Sequence, residues 1–295
     1  MTYIWQHPEW PEFRYDLTGM EDILFVFAEE TGHIRGILKG TPNALQIETL
    51  IDTLVAEAIK TSEIEGEFLS RQDVVSSIRN NLGITQKPEP IKDRKAQGAA
   101  ELMVNARNSY AEPLSETMLF SWHKTLLKDS NTIATGAWRK DTVPMQVVSG
   151  SIGKQKIHFE APPSERVPAE MARFIEWFNN TAPGGSKEIT KAPVRSAIAH
   201  LYFETIHPFE DGNGRIGRII AEKALSQTLG RPVMLSLSRT IVAGRKKILP
   251  VTGNGPKAHR YLRVDPLFCA DYRRRTNRNA ECAGFYIEEN PVFRS

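Results

Sequence analysis

Residues 207–218 read His-Pro-Phe-Glu-Asp-Gly-Asn-Gly-Arg-Ile-Gly-Arg, a run that gathers a titratable base, a carboxylate, close-set glycines, an amide and two arginines. Gly212 and Gly214 let the backbone turn sharply and leave N–H groups uncovered. An anion can then rest on a helix N-terminus, where unpaired donors and the macrodipole both favour negative charge. Arg215 and Arg218 are three apart, so a helix would present both guanidiniums on one face, suited to gripping successive phosphates. Asp211, just ahead of the turn, can hold a Mg²⁺ ion that bridges those phosphates, and His207 has a proton affinity suited to accepting a proton near neutral pH. The run reads as a phosphate site with a proton acceptor beside it.

Competing readings fail on context. Gly212, Gly214 and Gly217 satisfy G-x-G-x-x-G, but that fingerprint needs a preceding buried strand and an acidic residue about twenty positions on. Here Ala197, Ile198, Leu201, Tyr202 and Thr205 recur at helical spacing, and Arg231 to Arg239 contains no carboxylate. Zinc is a second competitor, because His200, Glu204 and His207 can share a helix face. Pro208 ends that helix, however, H-E-x-x-H and a cysteine ligand set are missing, and a metal site leaves Arg215 and Arg218 unexplained. A capped turn with solvated arginines leaves the concentration of polar specialists unexplained.

The run from His207 to Arg218 resembles the signature of Fic-domain proteins, H-x-F-x-[D/E]-G-N-G-R-x-x-R, with every fixed position filled. The resemblance implies a Fic core that transfers AMP from ATP to a hydroxyl side chain of a target protein. It implies His207 as general base for the incoming hydroxyl, Asp211 as Mg²⁺ ligand, and Phe209 as a buried anchor for the loop. Asn213, with the backbone amides around Gly212 and Gly214, would cradle the α-phosphate, and Arg215 and Arg218 would hold the β- and γ-phosphates. Attack at phosphorus needs a positioned nucleophile, charge neutralisation and an anion hole, which agrees with these roles. Farther upstream, Thr61-Ser62-Glu63-Ile64-Glu65-Gly66 fits [S/T]-x-x-x-E-[G/N], similar to the inhibitory motif of the family. By that resemblance Glu65 pairs with Arg218 and blocks placement of the ATP γ-phosphate; a carboxylate on a guanidinium competes with phosphate for the same donors. An ordinary helix C-cap at Gly66 is the plainer reading of the same residues.

Length and composition permit this function and constrain it little. The chain has 295 residues, 40% of them hydrophobic, enough for one large or two modest cores. No apolar run reaches membrane-spanning length, and Met1 to Glu9 lacks the apolar stretch of a signal peptide. Cys269 and Cys282 are the only cysteines, too few for a disulfide framework or a metal set, so a reducing cytoplasm is expected. The net charge of +3 does not by itself point to nucleic acid, although it is uneven: from Arg239 onward there are 12 basic and 5 acidic residues.

The fold expected is mainly α: a Fic-type helical core with one β-hairpin flap, preceded by an N-terminal helical region. Residues 1–90 form that region. It begins with Trp5, Trp10, Phe13 and Tyr15, followed by a short helical pattern through Ile23, Leu24, Phe27 and Ala28. A stronger stripe then runs through Leu50, Ile51, Leu54, Val55, Ala58 and Ile59 up to the Glu65 motif. Another helical pattern holds Val74, Val75, Ile78 and Leu82, and the Pro88 to Pro90 break sets the domain boundary. Residues 91–249 form the core. Helices run through Ala99, Leu102, Met103 and Ala106, through Leu119, Trp122, His123 and Leu126, where His123 reads as structural, and through Met171, Phe174, Ile175 and Phe178. Two more follow, one from about Ala192 to His207 and one from Arg215 to Leu229. Gly136-Ala137-Trp138-Arg139 precedes two strand-like runs, Val143 to Val148 and Lys156 to Phe159, around Ser149 to Gly153, a hairpin that by resemblance is the flap on which a target segment docks by strand addition. Ser236-Leu237-Ser238 and a helix starting there resemble the closing part of the core. Residues 250–295 depart from the family as a divergent basic tail.

The partners implied are ATP and a hydroxyl-bearing target protein, with no membrane. A homo-oligomer stays open. The leading function is an autoinhibited protein adenylyltransferase. Alternatives are a Fic enzyme that removes AMP, with Glu65 aligning a water, and a non-enzymatic regulatory module whose basic C-terminal region binds nucleic acid or a partner. The last lacks a helix-turn-helix pattern.

Overall fold

The computed structural model describes residues 3–149, 156–234 and 236–238. The loop of the hairpin, everything beyond Ser238 in the helix expected from about Ser236, and the basic tail 250–295 lie outside the described residues.

Eight α-helices, one strand pair and two short 3-10 helices, Ile4–Gln6 and Ser164–Arg166, occur among the described residues: α1 Glu21–Gly40, α2 Asn43–Ile64, α3 Arg71–Asn81, α4 Arg94–Asn108, α5 Glu116–Leu126, β1 Gln146–Ser149, β2 Lys156–Glu160, α6 Val167–Asn180, α7 Ala192–Ile206 and α8 Asn213–Leu229. Helix starts follow local chemistry. Ser70, Asp93 and Ser115 each accept a hydrogen bond from the backbone N–H three residues on, which satisfies a donor that the first turn leaves orphaned. Proline opens the first turns of α6 and α7, where its missing N–H costs nothing. The short helical pattern expected around Phe27 extends much farther, to Gly40; Gly32 and Gly36 do not stop it, and Pro42 follows. That helix buries only Phe27 and Thr31, with Phe27 packed near Ala192, Leu225 and Val233.

The strands pair antiparallel, with Gln146 opposite Glu160 and Ser149 opposite Lys156. This is the hairpin expected from the β-like runs, starting three residues later than the apolar pattern does. The aromatic N-terminus crosses toward it: Trp5 Nε1 donates to the Glu160 carbonyl at 2.7 Å and Trp10 Nε1 to Glu170 at 2.9 Å. Trp10 also meets Tyr202 edge-on at 4.9 Å, so the first residues are stitched to α6 and α7.

At the centre, α7 and α8 pack more extensively against each other than any other pair of helices. Tyr202, Phe203 and Ile206 of α7 and Ile216, Ile219 and Ile220 of α8 join one hydrophobic cluster that also takes in Ile51, Leu54 and Val55 of α2 and Leu102 of α4. The core is therefore continuous across the Pro88 to Pro90 break. This continuity sets the function-bearing geometry, because α2 lies against α8 and its C-terminal end reaches the first turns of that helix.

Arg195, fully buried on α7, ties the centre together. It donates to the carbonyls of Phe178 at 2.8 Å and Ala224 at 2.9 Å and to the Gln227 side chain at 2.9 Å, and its guanidinium lies 4.6 Å from the Phe178 ring centroid. Burial lowers its pKa to about 10. Among the described residues its hydrogen bonds go to neutral groups. Arg195→Ala should therefore cost about 3 kcal/mol or more, since several buried acceptors lose their donor at once. A chemical-denaturation midpoint within error of the parent would contradict this.

Candidate active site

Helix α7 ends at Ile206, and His207 caps it in the left-handed region, φ 51° and ψ 60°, the one described non-glycine residue with positive φ. A side chain there is strained, and such strain persists only where the surroundings enforce it. Arg139 does so. Its Nε donates to the His207 carbonyl at 2.7 Å, its terminal nitrogen donates to the carbonyls of Ile206 and Pro162, and its own N–H donates to the Pro208 carbonyl at 2.9 Å.

The loop that follows is locked from inside. Both ends of the buried Asn213 amide are engaged by Phe209: Oδ1 accepts from the Phe209 N–H at 2.9 Å and Nδ2 donates to the Phe209 carbonyl at 2.8 Å. The Asn213 side chain thereby closes the loop on Phe209, while its position as the first residue of α8 sets its own N–H at the helix N-terminus. Phe209 is fully buried and stacks on His123 with ring centroids 4.0 Å apart and planes within 7°. His123 Nδ1 accepts from the Gly136 N–H at 2.8 Å, so Nε2 carries the hydrogen and donates to the Asp211 carbonyl at 3.1 Å. That makes His123 the structural residue its setting in the sequence suggested.

Gly212, φ 79°, is the N-cap of α8 and needs the freedom of glycine. Gly214 has another reason to be glycine. It sits within the first turn of α8, and a Cβ built on it would lie 2.2 Å from Glu65 Oε1. The carboxylate of Glu65 thus rests on the helix N-terminus, in the place where an anion is favoured.

Arg215 and Arg218 face the end of α2, with side chains only 4% and 7% exposed. Arg218 is gripped three times: Nε donates to Thr61 Oγ1 at 2.7 Å, and a terminal nitrogen donates to the Thr61 carbonyl at 3.0 Å and to Glu65 Oε1 at 2.7 Å. Arg215 donates to Glu67, and its other terminal nitrogen lies 3.8 Å from Asp211 Oδ2. Asp211 is half exposed, with Oδ1 accepting from the Gly212 N–H at 2.6 Å. One carboxylate with an open oxygen fits Mg²⁺, which keeps waters and phosphate oxygens among its ligands. No group of three or more His, Cys, Asp or Glu that could hold a metal occurs among the described residues.

Burial drives the titratable groups beneath the loop toward neutrality. His207 falls to about 4, chiefly by burial, against a ring hydrogen bond to the Glu204 carbonyl that raises it. His200 falls to about 4 by burial and by Arg218. Glu204 rises to about 7 by burial, with Arg218 pulling it down and Glu65 pushing it up; its Oε2 lies 3.7 Å from His207 Nδ1. A neutral imidazole that donates from one nitrogen has the other free to accept a proton.

The structure thus brings His207, Asp211, Gly212, Asn213, Gly214, Arg215, Arg218 and Glu65 into one site. Sequence reading missed four neighbours. Arg139 was noted only as the end of a Gly-x-x-Arg landmark, Thr61 only as a motif letter, Glu204 only as a metal candidate, and Glu67 not at all. The signal for Glu67 was its position one glycine past Glu65, which returns a second carboxylate to the same arginine pair.

Two stretches of the chain match known families. Residues 3–84 match DUF4172, a domain of unknown function, and residues 113–225 match the Fic/DOC family. Over residues 113–225 the chain is similar to the Fic/DOC family. A probable protein adenylyltransferase of Aquifex aeolicus is 30% identical over 132 residues, covering 45% of this chain and 36% of that protein. A uridine 5'-monophosphate transferase of Xanthomonas campestris is 27% identical over 150 residues, covering 46% of this chain and 26% of that protein. This chain therefore spans about a third or less of the length of these curated relatives. Among solved structures, a Fic domain containing signaling protein from Bacteroides thetaiotaomicron superposes with a TM-score of 0.52 at 19% identity, over 70% of this chain and 75% of that one. At that identity the likeness is one of fold.

Two outcomes follow from the geometry alone. Asn213→Ala should lower stability by about 2 kcal/mol, because a buried N–H and C=O of Phe209 both lose their partner; a variant with unchanged melting would show that the loop does not need this lock. The His207 ring should stay neutral from pH 7 down to about 5 and take up its proton only as pH falls through about 4. An NMR titration midpoint near the ordinary 6.5 would contradict the burial argument.

Proposed function

We propose that the site transfers AMP from ATP to a hydroxyl of a target protein and that Glu65 holds it in an inhibited state. The observation that carries this reading is the placement of a neutral His207 at the rim of a helix N-terminus lined by two buried arginines. A base and an anion cradle a few residues apart suit in-line attack on a phosphoryl group. His207 takes the proton of the incoming hydroxyl as its oxygen bonds to the α-phosphorus. The bond from that phosphorus to the bridging oxygen breaks, and pyrophosphate leaves on Arg215 and Arg218. The Asn213 N–H and its neighbours at the start of α8 receive the charge on the α-phosphate. Asp211 would hold Mg²⁺ brought with the phosphates, which supplies charge neutralisation.

ATP is the nucleotide favoured here by the resemblance to adenylyltransferases. The signature grips phosphates and leaves the base unread, and one relative carries the name of a UMP transferase. The target would dock on the edge of the β1–β2 pair by strand addition. No described helix is long and apolar enough to cross a membrane.

Inhibition follows from competition. Glu65 spends a charge-assisted hydrogen bond on Arg218 and covers Gly214, so a γ-phosphate arriving there meets both an occupied donor and a like charge. Glu65→Gly should raise transfer of label from ATP about tenfold or more, the scale of one charge-assisted hydrogen bond no longer competing. His207→Ala should abolish transfer with ATP affinity largely kept, and Arg218→Ala placed on Glu65→Gly should lose the gain. An inactive Glu65→Gly protein that still binds ATP would sink the inhibitory role, and a double variant as active as Glu65→Gly would show that Arg218 holds no phosphate.

A further inference from the structure

Glu65 and Glu67, one glycine apart, reach the two arginines of the signature separately. Glu65 Oε1 accepts from Arg218 at 2.7 Å and Glu67 Oε2 accepts from Arg215 at 2.5 Å. One backbone device aims both. Gly66, φ 80°, reverses the chain beyond α2, and the N–H groups of Glu65, Gly66 and Glu67 return to the carbonyls of Ser62, Glu63 and Ser62. The two carboxylates are therefore carried on a single capped turn.

Arg215 is held less completely than Arg218. Its Nε has no hydrogen-bond partner among the described residues, and its second terminal nitrogen lies 3.8 Å from Asp211. A guanidinium has five N–H donors, so a phosphate with several oxygens can satisfy this one better than the single Glu67 contact does. Glu67 also has somewhere to stay once displaced. Its Oε1 lies 3.2 Å from Lys95 Nζ near the start of α4, on the solvent side of the pair.

We infer that Glu67 is a second inhibitory carboxylate, acting through Arg215 as Glu65 acts through Arg218, and that Lys95 retains Glu67 when nucleotide takes the arginine. The inference deepens the proposed nucleotide reading of this site and rests on it. A nucleotide then has to displace two ion pairs carried by one turn, and removing Glu65 alone leaves half of the inhibition in place.

The test uses the full chain, with calorimetric affinity for ATP in Mg²⁺ buffer and transfer kinetics with labelled ATP. Glu67→Gln keeps size and polarity but removes the charge; Glu67→Asp keeps the charge and withdraws it by one methylene. On the Glu65→Gly background, Glu67→Gln should tighten ATP about tenfold, with KM falling more than kcat changes, and Glu67→Asp should tighten it less. Lys95→Met on Glu65→Gly should weaken ATP binding, because Glu67 has lost its outside partner, and should do nothing once Glu67 is Gln. Unchanged or weaker ATP binding in Glu67→Gln and Glu67→Asp, with native melting, would overturn the inference and leave Glu67 as a support that merely orients Arg215. ATP binding tightened by Glu65→Gly but not by Glu67→Gln would sink the second inhibitory contact alone. If no variant bound ATP, the nucleotide reading itself would fall, and this inference with it.

Discussion

The carboxylate of Glu65 sits at the C-terminal end of its own helix, where the macrodipole disfavours negative charge, and on the N-terminal turn of another, where the macrodipole favours it. Arg218 converts that balance into a fixed contact, with Thr61 one turn back on α2 supplying two more acceptors. The meeting of α2 and α8 end to end is what places an anion in the seat. It is possible only because the apolar stripe of α2 shares a core with α7 and α8, so the packing of Ile51, Leu54 and Val55 fixes the reach of Glu65 fourteen, eleven and ten residues later.

A seat for phosphate has to be rigid before anything arrives, since preorganised donors cost no rearrangement when charge develops. Here the rigidity comes from side chains that do not themselves face the seat. Asn213 closes the loop on Phe209, His123 stacks under Phe209 and pins the Asp211 carbonyl, and Arg139 holds the left-handed turn at His207. The residues most visible in the signature thus divide into Arg215 and Arg218, which pair with carboxylates at the end of α2, and those that hold the loop in shape.

Much of this was legible in the sequence, and the limits of legibility have physical causes. The helical periodicity of α2, α4, α6 and α7 and the glycine turn before α8 follow from local rules of burial and backbone freedom. The 12-residue run from His207 to Arg218 drew attention to this place in the chain, by its residue types and by its resemblance to the Fic signature. The length of α1 was not legible: an exposed helix that buries Phe27 and Thr31 and little else leaves no apolar stripe to read. How the Asn213 amide is held was not legible either, since an amide suits a phosphate and a backbone pair equally well, and the fold pairs it with Phe209. Glu67 was hidden because a charge on a surface loop looks the same in sequence whether it is solvated or paired with a group 148 residues away.

The same burial that shapes the loop also sorts its charges. Low dielectric penalises the charged form of any group, so His200 and His207 fall to about 4 and give up their protons, while Glu204 rises to about 7 and tends to keep one. Imidazoles and carboxyls can escape the penalty by titrating. Guanidiniums cannot within the range of physiological pH, and they keep their charge even when buried. Beneath the loop, burial therefore pushes His200, His207 and Glu204 toward their neutral forms. What meets the two arginines at the start of α8 is the pair of carboxylates on the turn beyond α2, Glu65 on Arg218 and Glu67 on Arg215.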